Sequence, residues 1–186
     1  MIRVAPLSIA EVLVIEPLVF GDDRGYFLEA WNREVYGQAG VPNRFVQDNV
    51  SWSSNRVLRG LHLQHPFSQG KLVQALHGEI FDVAVDVRLG SPTFGRWVGE
   101  RLSEDNHRQL FVPPGFAHGF CVISDHALVG YKATDVYHPE SEIAVAWNDP
   151  EIGIDWPVAN PRLSAKDGVA PRLSEIPESR LPGFFD

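Results

Sequence analysis

The stretch Ile80-Phe81-Asp82-Val83-Ala84-Val85-Asp86-Val87 decides the fold class. Phe81, Val83, Val85 and Val87 alternate with Ile80, Asp82, Ala84 and Asp86, the period-two pattern of a half-buried strand with one strongly apolar face. Lys71 to Leu76 reads as a preceding strand, and Gly78 can supply the positive φ of a tight hairpin turn between the two. Working outward, similar short runs at 12–15, 45–52, 57–64, 96–102, 116–123, 127–132 and 143–147 are separated by Gly, Pro, Asn or Asp. Many short strands with few helical stretches predict an all-β jelly-roll barrel or sandwich. Helix is expected only near 32–38, ended by Gly40, and in a turn around 163–167.

A chain of 186 residues, with no composition shift or Ser/Gly-rich linker, is expected to form one domain over 1–186. Its formal charge of −8 argues against broad nucleic-acid binding, so an anionic ligand has to be held by local cations. Cys121 is the only cysteine, which excludes an intrachain disulfide and a cysteine-rich zinc site. No stretch is long enough to cross a bilayer and no leader pattern opens the chain; a cytoplasmic location is the default expectation.

The chemistry-bearing segment is Arg59-Gly60-Leu61-His62-Leu63-Gln64, followed by Gly70-Lys71. It sets an imidazole on an apolar strand and a single ammonium on the next one. Removing a proton beside a carbonyl needs both a base and a cation for the oxyanion. A histidine alone on an apolar strand is more often a satisfied core residue, and a base needs an orienting carboxylate, for which Asp167 is a candidate. Strict alternation puts Arg59 and His62 on opposite faces, so both reach one pocket only if Gly60 marks a bulge. Tyr131 and Tyr137 share a face if their strand is regular throughout, either as acid and stacking platform or as ordinary strand tyrosines.

Pro113-Pro114-Gly115 forms a turn, and the strand after it sends Phe116, His118 and Phe120 to one side. A metal at His118 would draw further ligands from His62, Gln64, His65 and Glu79. His62-Leu63-Gln64 lacks the His-x-His pair that places two imidazoles on one face, and no metal is expected. Arg24, Arg59 and Lys71 are the cations an anionic substrate would need, arginine suiting phosphate through its planar fork.

In Asp23-Arg24-Gly25-Tyr26-Phe27, Gln47-Asp48-Asn49, Arg59-Gly60-Leu61-His62, Gly70-Lys71-Leu72-Val73, the run Gly78 to Arg88, Pro113 to Phe120 and Ser164-Ala165-Lys166-Asp167, the chain resembles the dTDP-4-dehydrorhamnose 3,5-epimerases. The resemblance covers nearly the whole length and implies a cupin-like double-stranded β-helix, a jelly-roll barrel with a few short helices. It implies inversion at C3 and C5 of a dTDP-4-keto-6-deoxyhexose, dTDP-4-dehydro-6-deoxy-D-glucose, without a cofactor. His62 would be the base, oriented by Asp167, with Tyr131 delivering the proton from the other side and Lys71 stabilising the enolate. Arg24, Glu29, Gln47, Asn49, Arg59, His118, Glu142 and Lys166 would hold the nucleotide sugar, and Tyr137 would stack on the thymine. A homodimer is implied, with the amino-terminal segment 1–50 contributing to the interface and reaching the neighbour's site. The alternatives are an enzyme that inverts only one of the two carbons, a metal-dependent cupin, or a non-catalytic sugar-binding jelly roll.

Overall fold

A computed structural model describes residues 2–41 and 44–185. The amino-terminal part holds β1 (Arg3–Pro6), β2 (Leu13–Glu16), the hairpin β3 (Val19–Asp22) and β4 (Gly25–Leu28), and the helix α1 (Arg33–Gln38). Asn32 starts α1, its side-chain oxygen accepting from the N–H groups of Glu34 at 3.0 Å and Val35 at 3.2 Å, donors that a helix cannot satisfy internally. Next come β5 (Gln47–Ser54), β6 (Leu58–Gln64), β7 (Lys71–His77), β8 (Glu79–Asp86) and β9 (Trp97–Ser103). The last strands are β10 (Gln109–Val112), β11 (Phe116–Val122), β12 (His126–Ala133) and β13 (Glu142–Ala144).

Two antiparallel sheets face each other, of order β1-β2-β10-β7-β12-β5 and β13-β6-β11-β8-β9. Val73, Ala75, Leu110 and Val129 from the first meet Ile80, Ala84, Val98 and Val122 from the second in the core between them. A second core lies on the far side of the smaller sheet, where Leu61, Val83, Val85 and Val87 are covered by Ile152, Leu173, Ile176 and Leu181 of the carboxy-terminal segment. The three valines are fully buried, each stabilising the fold by about 1.5–3 kcal/mol relative to an exposed position.

The structure corrects four sequence expectations. β8 is buried on both faces, not half-buried, because it is sandwiched between the barrel interior and the carboxy-terminal segment. Asp82 and Asp86, apparent members of a wet face, are fully buried and hydrogen-bonded, Asp86 to Arg88, Ser91 and Thr93. Gly78 has the positive φ expected, +74°, but β7 and β8 belong to different sheets, so it turns a corner between layers and closes no hairpin. A Cβ there would lie 2.1 Å from the carbonyl oxygen of His126, which explains the glycine. The expected turn around 163–167 is displaced to a 3₁₀ turn over Asp167–Val169.

Candidate active site

The barrel opens into a cavity of about 470 Å³ whose lining includes Arg59, His62, Lys71, His118, Tyr131, Lys166 and Asp167. His62 and His118 are register partners on β6 and β11 of the smaller sheet, whereas Lys71 on β7 and Tyr131 on β12 belong to the larger one. The cavity thus has an imidazole on one wall and an ammonium and a phenol on the facing wall.

A bulge makes the first wall possible. Between β6 and β11, His118 pairs with His62 but Phe120 pairs with Arg59, so two steps on one strand oppose three on the other. Gly60 occupies the bulge with φ +118°, and a Cβ there would meet Gly119 Cα and the His118 carbonyl oxygen at 2.7 Å. Arg59 and His62 therefore both reach the cavity, as the bulge reading requires.

His62 Nε2 lies 2.6 Å from Oδ1 of the buried Asp167. An ionised carboxylate only accepts, so His62 Nε2 donates and Nδ1 is left as the basic nitrogen. Burial works to raise the Asp167 carboxyl, but hydrogen bonds from His62 and the Ser164 region outweigh it and hold the group below the usual carboxylate range. Ser164 Oγ accepts from the Asp167 N–H at 3.1 Å, fixing the turn that presents the carboxylate.

Lys71 is carried to the cavity by a loop tied to its neighbour. Gln64 Nε2 donates to the carbonyls of Phe67 at 2.9 Å and Val136 at 3.2 Å, Gln69 Nε2 to that of Asp135 at 2.8 Å, and the Gly70 N–H to Thr134 Oγ1 at 2.8 Å. Burial pushes the Lys71 ammonium down to about 8, against the opposing pull of Asp82 and Glu142. Tyr131 is shifted the other way: burial raises its phenol, Glu142 adds to the rise and Arg59 opposes it, so the group holds its proton at neutral pH.

His118 Nε2 lies 2.8 Å from Oδ1 of the buried Asp82, whose Oδ2 has no hydrogen-bond partner. Of the other candidate metal ligands, Glu79 pairs with Arg101 at 2.8 Å and the Gln64 amide is engaged by loop backbone. Among the described residues no three His, Cys, Asp or Glu side chains are grouped to hold a metal ion.

The remaining predicted residues divide into two groups. Glu142, Tyr137, Gln47 and Asn49 do not line the cavity but form a chain leading from Lys166, which does: Glu142 accepts from Lys166 Nζ at 2.5 Å and from the Tyr137 hydroxyl at 2.9 Å, while Gln47 accepts from the Tyr137 N–H at 2.8 Å and donates to Asn49 Oδ1 at 3.1 Å. β12 ends at Ala133, so Tyr137 lies beyond the strand and not in regular register with Tyr131; its ring is half exposed. Arg24 and Glu29 are not brought to this cavity. Arg24 sits at the β3–β4 turn paired with Asp22 at 2.5 Å, and Glu29 accepts from Asn32 Nδ2 at 3.1 Å. Sequence reasoning missed Asp82, read as a solvent-facing residue, and Arg162, which lines the cavity from outside every motif.

The sequence matches the dTDP-4-dehydrorhamnose 3,5-epimerase family over residues 6–175. It is 58% identical over 163 residues to the dTDP-4-dehydrorhamnose 3,5-epimerase of Pseudomonas aeruginosa, covering 87% of this chain and 90% of that one. A dTDP-4-dehydrorhamnose 3-epimerase of Streptomyces niveus is 41% identical over 181 residues, covering 96% and 87% of the two chains. The crystal structure of a dTDP-6-deoxy-D-glucose-3,5-epimerase from Legionella pneumophila in complex with dTDP-4-keto-L-rhamnose superposes with a TM-score of 0.96 at 50% identity, over 99% of each chain. The cupin-like barrel with its facing walls and a sequence match over most of its length agree: this chain belongs to the dTDP-4-dehydrorhamnose 3,5-epimerase family.

Proposed function

We propose that this isomerase converts dTDP-4-dehydro-6-deoxy-D-glucose to dTDP-4-dehydro-L-rhamnose, inverting C3 and C5 at the cavity between the two sheets. The observation that carries the reading is the His62–Asp167 pair on one wall opposite Lys71 and Tyr131 on the other. Both hydrogens to be removed are α to the C4 carbonyl. His62 Nδ1 takes the proton from one face of the sugar, the C–H electron pair moves into the ring as an enolate, and the Lys71 ammonium stabilises the resulting oxyanion. Tyr131 then gives its proton to the same carbon from the opposite face, which inverts the centre. The imidazolium and the phenolate left behind exchange protons with solvent before the second carbon is processed. A positioned acid or base contributes about 10²- to 10⁴-fold each, and an oxyanion donor about 10²- to 10³-fold. The residues supply base, acid and oxyanion donor from side chains, so the scheme needs no cofactor.

Arg59, His118, Lys166, Glu142, Gln47 and Asn49 hold the nucleotide sugar in this scheme, with Tyr137 stacking on the base. Domain 1–186 acts as one unit, and the single Cys121 suits a reducing cytoplasm. Lys71 gives the scheme a pH signature. Its neutral amine cannot stabilise an oxyanion, so kcat/KM is expected to fall as pH rises through about 8. Bound diphosphate and the developing enolate favour the ammonium, so the kcat profile should break at higher pH. Initial rates across that range check this, and a kcat/KM that stays flat through the break would remove Lys71 from the oxyanion role.

We also propose a homodimer in which Arg24 and Glu29, within segment 1–50, enter the partner's cavity. The β3–β4 hairpin that carries Arg24 leaves Phe20, Tyr26 and Phe27 more than half exposed, at 58%, 58% and 69%, a surface suited to docking on a second copy. Mixing Arg24→Ala with His62→Ala subunits should restore activity in heterodimers, since one of their two sites keeps both groups. Verified subunit exchange without recovery would mean that each site is built within one chain.

A further inference from the structure

The cavity holds two guanidinium groups, those of Arg59 and Arg162, that no carboxylate pairs among the described residues. His62, His118 and Lys166 are each matched, by Asp167, Asp82 and Glu142, and Lys71 is the ammonium of the reacting centre. In a chain with 24 Asp and Glu against 16 Lys and Arg, two unmatched guanidiniums in one cavity are a local excess of positive charge. Both are held by neutral acceptors on the same strand. Arg59 Nε donates to Ser53 Oγ at 3.0 Å, and Arg162 Nη1 donates to Ser54 Oγ at 2.8 Å. A hydroxyl orients a guanidinium without cancelling its charge, and the remaining N–H donors of each fork are left for a ligand.

The backbone of Arg162 is fixed as well. Its N–H donates to the Arg56 carbonyl at 2.7 Å and its carbonyl accepts from the Leu58 N–H at 3.0 Å, which pins it beside the strand that carries Arg59. From Arg162 the chain runs directly through Ser164 and Lys166 to Asp167, so one loop joins this cation to the carboxylate that orients the base. We infer that Arg162 is a diphosphate-binding residue, which together with Arg59 grips the two phosphoryl groups of the nucleotide. The inference rests on the functional reading above. A planar fork matches phosphate oxygens in pairs, and two forks lining one cavity offer donors to both phosphoryl groups of a diphosphate where a monophosphate has only one. This contact is made equally in the ground and transition states, so its loss acts on KM more than on kcat.

The test compares dTDP and dTMP binding by calorimetry to the full-length wild type and to Arg162→Met, which keeps the aliphatic stem. Charge-assisted hydrogen bonds of this kind predict about 10- to 100-fold weaker dTDP binding, a smaller loss for dTMP, and a rise in KM that exceeds any fall in kcat. Ser54→Ala, which only frees the side chain, should give a loss in the same direction and smaller. Should Arg162→Met fail to fold, Arg162→Lys, a point charge without the fork, is expected to show the same narrowing of the dTDP preference. Folded variants that bind dTDP as the wild type does, while the wild type turns over substrate, overturn the role of Arg162 and leave the functional reading standing. A wild type that binds no dTDP and washes no deuterium into substrate contradicts the functional reading itself.

Discussion

His62→Ala is expected to abolish incorporation of solvent deuterium at both C3 and C5 of the substrate, and to lower turnover by about 10²- to 10⁴-fold. The two losses should occur together because, of the two carboxylate-paired imidazoles on the wall formed by β6 and β11, His62 is the more exposed. His118 is the neighbouring imidazole, but its side chain is withdrawn to 8% exposure against the buried Asp82, whereas the His62 side chain keeps 29% exposure. Proton NMR of substrate recovered from deuterated buffer checks this. Exchange retained at either carbon would require a second base and would end the single-base account. Asp167→Asn should fall short of the full loss, since the imidazole remains but its tautomer and orientation are no longer set by a carboxylate.

Tyr131→Phe is expected to separate two events that the wild type couples. His62 and Lys71 still form the enolate, so deuterium continues to enter the substrate from the face on which it left. Return of a proton to the opposite face loses its donor, and inversion should drop by about 10²- to 10⁴-fold while exchange persists. The raised phenol of Tyr131 supports this assignment, because burial keeps it protonated where a donor is needed. Comparing the rate of deuterium wash-in with the rate of product formation checks it, and a variant that epimerises as fast as the wild type would remove Tyr131 from the acid role.

Much of the barrel was legible because a strand with one dry face writes its period into the sequence. The expected runs at 57–64, 116–123 and 127–132 fall on β6, β11 and β12 with shifts of a residue or so at the ends. β3 and β4 escaped notice because most of their residues are exposed, on both faces of the ribbon, and β10 because all four of its residues are buried; neither leaves an alternation to find. Gly78 was legible as a bend but not as a corner, since a hairpin and a step between sheets demand the same positive φ. The same limit applied to Asp82 and Asp86, where a polar side chain marks a wet face only if no neighbouring side chain, such as His118 on the adjacent strand or Arg88 just along the chain, pairs with it.

The site shows a similar division. Gly60 as a bulge followed from the need to bring Arg59 and His62 to one face, and the register of β6 against β11 contains it. The His62–Asp167 contact joins residues 105 apart in the chain, a distance over which local pattern carries no information; the resemblance to a family supplied that partner. Arg162 had neither signal. It lies between motifs, and only the folded chain brings its guanidinium to the cavity of His62.

The most direct measurement of the central claim is the fate of solvent deuterium during turnover of dTDP-4-dehydro-6-deoxy-D-glucose by the wild-type protein. One base facing one ammonium and one phenol across the cavity predicts deuterium at both C3 and C5, with both centres inverted in the product. Deuterium and inversion at C3 alone would contradict it and would align this chain with relatives such as the 3-epimerase of Streptomyces niveus.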